Sequence, residues 1–420
     1  RGCAQATLTP QLWSGCKLAR YLHTFAQGIA FCGALIAHPQ AVAAQDIEFD
    51  PELTLELSGF PEDPEFADQF KGFGGALIAS GDVSWRNEER TLQVVFEPYL
   101  RYDFRDDERT YGDVRRGFVR YFGDGWDITV GADRVFWGVV ESVNIVDVIN
   151  QRDGLENPDL DEKLGQPMLR FSTQTGIGNF DLYYLPYFRE RQFPGPDSRG
   201  RVPFPVNESA ARFERSDEET AGDFALRYSN TFGNFDVGAA YFYGTSRQPR
   251  LDFNPVNGTF EPFYQKQQQL GLDVQFTYDA WLLKLEAAAV EIGDDEFFAA
   301  VGGFEYTLFA LGGSGRDLGL IFEYIHDGRD QIMSPATPFD DDIFLGTRLT
   351  WNDVQDTELL AGAIVDVDGG GSQFSVEFQR RIGEKNLLEV ELRAVDADGD
   401  PLLEAVKSDT SLLLRWSRFF

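Results

Sequence analysis

Outside the common charged groups, few side chains in this sequence could do chemistry. His326, in "YIHDGRD", has Asp327 and Asp330 close by and is the one histidine beyond residue 38. A hydrolase needs its histidine held between a nucleophile and a carboxylate. A solitary histidine followed by Asp-Gly reads as structural, so we expect no enzyme and no catalytic residue. The densest charge lies between residues 138 and 166, where Glu141, Asp147, Asp153, Glu156, Asp159, Asp161 and Glu162 are balanced only by Arg152 and Lys163. Upstream stand Arg101, Arg105, Arg116, Arg120 and Arg134.

Two further acidic stretches, "DADGD" (Asp396–Asp400) and "DVDGGG" (Asp366–Gly371), carry the alternating carboxylates of a calcium loop. Pro401 occupies the place where that pattern needs glycine, and Lys407 the place of its terminal glutamate. Weak Ca2+ binding at acidic loops is the most they offer. No cofactor and no dedicated metal site are expected.

The elements that position these groups are legible from composition and periodicity. The 420 residues include 69 acids against 37 bases, a net charge of −32. Phosphate backbones demand clustered Lys and Arg, so nucleic acid is excluded as a partner. Mean hydropathy is −0.29, and no run of 18 apolar residues follows the first fifty, which excludes a bundle of membrane helices. Near the start, Lys17 and Arg20 precede a weakly apolar segment, and Ala41-Val42-Ala43-Ala44 offers small-x-small cleavage sites. Residues 1–44 are read as a secretory signal peptide, the alternative being a short helix. Cys3, Cys16 and Cys32 all fall within that segment, so the exported chain is expected to carry no thiol.

Beyond residue 45 the hydrophobic period is two. Leu270, Leu272, Val274, Phe276 and Tyr278 alternate with Gln269, Gly271, Asp273, Gln275 and Thr277, and "LLEVELRA" and "LQVVFEPYLRYDF" repeat the pattern. Each strand therefore has one apolar and one polar face. Tight connections ("RNEE", "FGDG", "TGIGN", "NTFGN", "TYDA", "LGGSGRD", "NDVQDT", "RIGEKN") alternate with long ones rich in Asp, Gly and Pro, such as 138–166, 189–220, 247–262, 327–341 and 397–408. Trp85, Trp126, Trp281, Trp351 and Trp416 all lie near a short turn or the C-terminus, as an interfacial girdle would. The spacing predicts one all-β domain over 45–420: a closed antiparallel transmembrane β-barrel of about 18 strands, with 16 as the neighbouring even count.

The C-terminal "SLLLRWSRFF" puts Leu412, Leu414, Trp416 and Phe420 on one face. It resembles the assembly signal of Gram-negative outer-membrane proteins, which ends in an aromatic residue, although Arg418 departs from the usual third-from-last aromatic. "DRVFWGVVESVNIVDVINQRD" is similar to a segment of poorly characterised porin-like families. The resemblance implies short periplasmic turns, long extracellular loops, and location in the outer membrane among lipid and lipopolysaccharide, with delivery by the barrel assembly machinery. General porins fold their third loop inward, opposite an arginine ladder. By that analogy residues 138–166 form a constriction, in which Glu141, Asp147 and Asp153 face Arg101, Arg105, Arg116, Arg120 and Arg134 across a transverse field. The alternative is an acidic cap binding the divalent ions that bridge lipopolysaccharide. The implied function is a channel for passive or weakly selective diffusion of small polar or charged solutes, a homotrimer by analogy. The competing function is a non-conducting barrel serving as surface scaffold or adhesin.

Overall fold

The computed structural model describes residues 47–156 and 161–420, and the expected signal peptide lies outside them. Strands β1 (Ile47–Phe60), β2 (Gly72–Arg86), β3 (Leu92–Asp103), β4 (Tyr111–Phe122), β5 (Trp126–Asp133), β6 (Gln166–Thr175) and β7 (Gly178–Leu185) form the first part of one sheet. After β8 (Arg212–Phe213), the sheet resumes with β9 (Asp223–Phe232) and β10 (Phe235–Thr245). A hairpin, β11 (Arg250–Asn254) and β12 (Thr259–Tyr264), pairs with β8 in a separate three-stranded sheet. The main sheet continues with β13 (Lys266–Tyr278), β14 (Trp281–Ile292), β15 (Asp295–Leu308), β16 (Asp317–Asp327) and β17 (Asp341–Thr350), then β18 (Glu358–Asp366), β19 (Ser372–Arg381), β20 (Asn386–Asp396) and β21 (Ser411–Phe419). It has 18 strands and is antiparallel throughout, and β21 pairs with β1. The sheet is a closed barrel, as its period predicts.

All eight tight connections fall where the sequence places them, at the rim that also carries both ends of the sheet. The opposite rim carries L3 (134–165), L4 (186–222), L5 (246–265), L7 (328–340) and L9 (397–410). Two connections there are shorter than expected: 367–371, and the two-residue hairpin Gly293-Asp294, where Gly293 sits at φ +58°.

Alternation assigns the faces. Leu53, Leu57, Leu100, Leu270, Leu283 and Leu345 point outward and are exposed, while Glu56, Arg101, Asp273, Glu286 and Glu323 point inward and are buried. Trp126, Trp281 and Trp416 project from the outer surface at the short-turn rim. There Trp281 packs on Tyr306 (4.6 Å between ring centroids) and Trp126 on Tyr121 (5.8 Å).

The seam shows why both terminal strands are needed. Opposite each other across β1 and β21, Thr54 and Ser417 hydroxyls lie 2.6 Å apart and Arg415 Nε donates to Glu56 at 3.0 Å. Arg101 of β3 donates to the same carboxylate at 2.6 Å. Glu56 thus balances the buried Arg101 and the partly buried Arg415 at the closure. Replacing it by alanine leaves Arg101 only Asp103 (3.2 Å) and takes from Arg415 its ion-pair partner, which costs about 3 kcal/mol. Closed barrels resist detergent until their ladder breaks, so Glu56→Ala is expected to lower the temperature at which the compact gel band converts to the unfolded one. Glu88→Ala, in an exposed turn, should leave it unchanged.

Candidate functional site

L3 leaves β5 and crosses the lumen to the far wall. Its first limb contains seven β-branched apolar residues, Val139, Val140, Val143, Ile145, Val146, Val148 and Ile149, which a water-facing loop would not carry. Val140, Val146 and Ile149 are buried inside the barrel, and the other four are partly buried against the same clusters. Val146 and Ile149, with Val135 and Trp137, pack on Met168 of β6, Tyr183 and Leu185 of β7, Ala225 of β9, and Ala240 and Phe242 of β10. Val140 packs on Val301 of β15 and Ile325 of β16.

Two inward glutamates hold this limb. Glu286 of β14 accepts backbone N–H groups of Val139 (2.7 Å), Val140 (3.2 Å), Ile145 (3.0 Å) and Val146 (3.4 Å). Glu323 of β16 accepts from Glu141 N–H (2.8 Å), Ser142 N–H (2.8 Å) and Ser142 Oγ (2.6 Å). Both carboxylates are fully buried. L3 has no strand partner across this stretch, and the carboxylates take the place of a ladder. Gly138 is required here, because at φ +139° a Cβ would stand 2.7 Å from Glu286 Oε1. Glu141 itself pairs with Arg348 of β17 (2.6 Å) and Lys284 of β14 (3.6 Å).

The second limb is held by cations. Asp147 pairs with Lys163 and with Arg152 (3.2 Å) inside L3, and its side chain is fully buried. Asp153, equally buried, accepts from Arg115 (2.6 Å) and Tyr111 Oη (2.6 Å) of β4. Glu156 accepts from Arg115 at 2.7 Å. Burial, opposed by Arg115, pushes Glu156 up to about 7. Asp147 and Asp153 are therefore paired groups inside the protein rather than open charges along a water path. Asp159 lies outside the described residues.

Arg115, central to this limb, is absent from the sequence-derived ladder. Period two places only one of Arg115 and Arg116 inward, yet both face the lumen, because the β3–β4 register shifts between Glu97 and Pro98. Pro98 has no N–H to donate, and the bulge inserts one unpaired residue. Of the other arginines, Arg101 is buried at the seam, and Arg105 is exposed above it, donating to Phe73 O. Arg116 pairs with Asp82 (3.4 Å), Arg120 with Asp133 (3.6 Å) and Asp127 (3.7 Å), and Arg134 with Glu97 (2.6 Å). These partners sit on the same wall. Arg116, Arg120 and Arg134 thus face acids on β2, β3 and β5, and of the arginines on β3 and β4 only Arg115 reaches L3's carboxylates.

Across the lumen the wall is acidic. A slot of about 250 Å3 lies between Asp161 and Glu162 of L3 and Glu358 of β18, Glu377 of β19, and Glu389 and Glu391 of β20, with Arg393 and Arg415 as its cations.

The chemistry weighed for His326 resolves differently. Its Nδ1 lies 2.9 Å from Asp341 Oδ1, on the outward side of β16. Asp327 instead pairs with Arg329 (2.7 Å), and Asp330 accepts the N–H groups of Ile332 and Met333. Asp400 caps a helical turn by accepting from Leu402 and Leu403, and Asp366 closes a turn by accepting from Asp368 and Gly369. Among the described residues no three His, Cys, Asp or Glu side chains gather to hold a metal ion.

No protein-family model and no curated protein matches the chain. Solved structures do. A BenF-like porin from Pseudomonas fluorescens Pf-5 superposes with a TM-score of 0.50 at 9% identity, over 89% of this chain and 98% of that one. OccK11 (OpdR) of Pseudomonas aeruginosa gives 0.49 at 10%, over 89% and 95%, and OccAB4 of Acinetobacter baumannii 0.49 at 10%, over 90% and 99%. At such identities the likeness is one of fold. Closure, an apolar outer belt with its tryptophan girdle, a charged lumen and that shared fold define the class. This is a closed transmembrane β-barrel with a porin-like fold.

If Glu286 and Glu323 hold L3, replacing both by alanine strips a set of charge-assisted hydrogen bonds worth about 1.5–3 kcal/mol each. L3 should then become accessible to trypsin at Arg152 and Lys163 in an otherwise folded barrel. Mass spectrometry of the nicked fragments reads this directly, and the unsubstituted protein should resist.

Proposed function

We propose that the barrel is an outer-membrane channel for small polar solutes, with a preference for cations. The observation that carries this reading is the slot beside L3. It sets six carboxylates, Asp161, Glu162, Glu358, Glu377, Glu389 and Glu391, against the guanidiniums of Arg393 and Arg415. Charges within a Debye length of about 8 Å act on a passing ion with little screening. An excess of carboxylates around a narrow passage favours cations. The arginines of β4 and Arg134 at the start of L3 contribute less field than their count suggests, since Asp82, Glu97, Asp127 and Asp133 compensate them locally. The partners this reading implies are lipid around the belt, lipopolysaccharide at the long-loop rim and the assembly machinery on the strand ending in Phe420.

Purified protein in a planar bilayer is expected to give discrete ion steps, with a reversal potential in a KCl gradient that marks potassium as more permeant than chloride. Neutralising Glu358, Glu377 and Glu389 together to glutamine should move that ratio severalfold toward chloride. Asp340→Asn with Asp341→Asn, at the outer rim, should barely move it. A silent bilayer would favour the scaffold reading instead.

A further inference from the structure

A second, larger cavity lies apart from the slot. It measures about 850 Å3 and is a partly open cleft lined at the long-loop end by L4, L5 and L7, a size that suits a drug-like small molecule. Its lining is mainly apolar, with Phe193, Phe204, Leu251, Phe253 and Phe260 prominent. Phe204 packs at a tilt against Phe253 (ring centroids 4.6 Å apart) and edge-on against Phe260 (5.7 Å).

Five arginines reach this cavity. Arg109 pairs with Asp103 (3.6 Å), Arg199 with Asp409 (2.5 Å), Arg201 with Asp68 (2.6 Å) and Arg250 with Asp252 (2.8 Å). Arg191 has no such partner. Its backbone N–H donates to Tyr264 Oη at 2.9 Å, and its Nε reaches Gln151 Oε1 at 3.4 Å. Among the described residues no carboxylate pairs with it. Arg191 also borders a chamber of about 570 Å3 above L3, whose other cations are ion-paired: Arg152 and Lys163 with Asp147, Arg247 with Asp223, and Arg329 with Asp327. Burial pushes the Arg191 guanidinium down to about 10, so it is still cationic at neutral pH. Among the described residues the other guanidiniums here are ion-paired, and this one has no counter-charge. Such a cation is stabilised by whatever brings an anion to it.

We propose that this cavity binds a small amphipathic carboxylate, its apolar body against the phenylalanines and its carboxylate on the Arg191 guanidinium. A planar guanidinium matches a carboxylate in bidentate geometry, and the aromatic wall takes the remainder. The site does not depend on whether the barrel conducts. A lipid phosphate is the other anion available at this rim, and the test separates the two.

The test is calorimetric titration of the full barrel in detergent with 4-phenylbutyrate, its uncharged counterpart 4-phenylbutanol, and dihexanoyl phosphatidate. Phenylbutyrate should bind in the millimolar range or tighter and the alcohol far more weakly. Arg191→Gln should weaken the acid about tenfold or more and leave the alcohol unaffected, Arg191→Lys should restore part of the loss, and Arg105→Gln should change nothing. Retention of the compact gel band certifies each variant. Equal binding of acid and alcohol, no binding of the acid at millimolar concentration, or an unchanged affinity in Arg191→Gln would each overturn the proposal. Binding of phosphatidate alone would overturn it in favour of a lipid headgroup. The comparison of acid with alcohol on the unsubstituted protein decides the matter even if no variant folds.

Discussion

In hydrocarbon an unpaired backbone amide has no water to turn to, and the rest of this structure follows from that constraint. It forces β21 onto β1, so the sheet has no edge. Once closed, the barrel can show lipid only apolar side chains, and the alternate positions, many of them ionisable, must share the lumen. Part of the net charge of −32 is thereby confined at close quarters. The inner surface is accordingly a set of local pairings: Glu56 with Arg101 and Arg415, Asp223 with Arg215 and Arg247, Asp273 with Arg227.

L3 extends the same logic to a segment without strand partners. Its backbone amides would be orphaned inside the barrel, and Glu286 and Glu323 accept them. The two glutamates lie on strands far around the barrel from β5, where L3 begins. Anchored there, the loop divides the lumen unequally. On one side its valines and isoleucines pack against β6, β7, β9, β10 and β14–β16. On the other its tip faces the acidic wall of β18–β20. The unequal division is what leaves a charged slot.

The barrel was legible in the sequence because a strand with one face in lipid and one in water has a strict period of two, and lipid enforces it on every strand. The turns were legible for the same reason, since each interrupts the period. The site was less so. Acidity drew attention to residues 138–166, but the better clue is the apolar run Val139–Ile149 within an acidic loop, which has to be buried somewhere. Arg115 was invisible because a bulge beside Pro98 breaks the period at that point. The pairing of Asp147 and Asp153 was equally out of reach: their partners Lys163 and Arg115 are distant along the chain or hidden by that bulge. Arg191 carries no local signal at all, and only the fold reveals that no carboxylate among the described residues pairs with it.

The central claim is that L3 lies within the lumen against the far wall, and a cross-link tests it most directly. A Cβ placed at Gly271 of β13 would stand 3.4 Å from Val146 Cβ of L3, close to the separation a disulfide spans. With Cys3, Cys16 and Cys32 replaced by serine, Val146→Cys combined with Gly271→Cys should oxidise spontaneously in the folded barrel. The product would show as a faster-migrating denatured band that reductant reverses. Two free thiols that remain reactive toward maleimide in the folded protein would contradict the account, because L3 would then lie away from that wall.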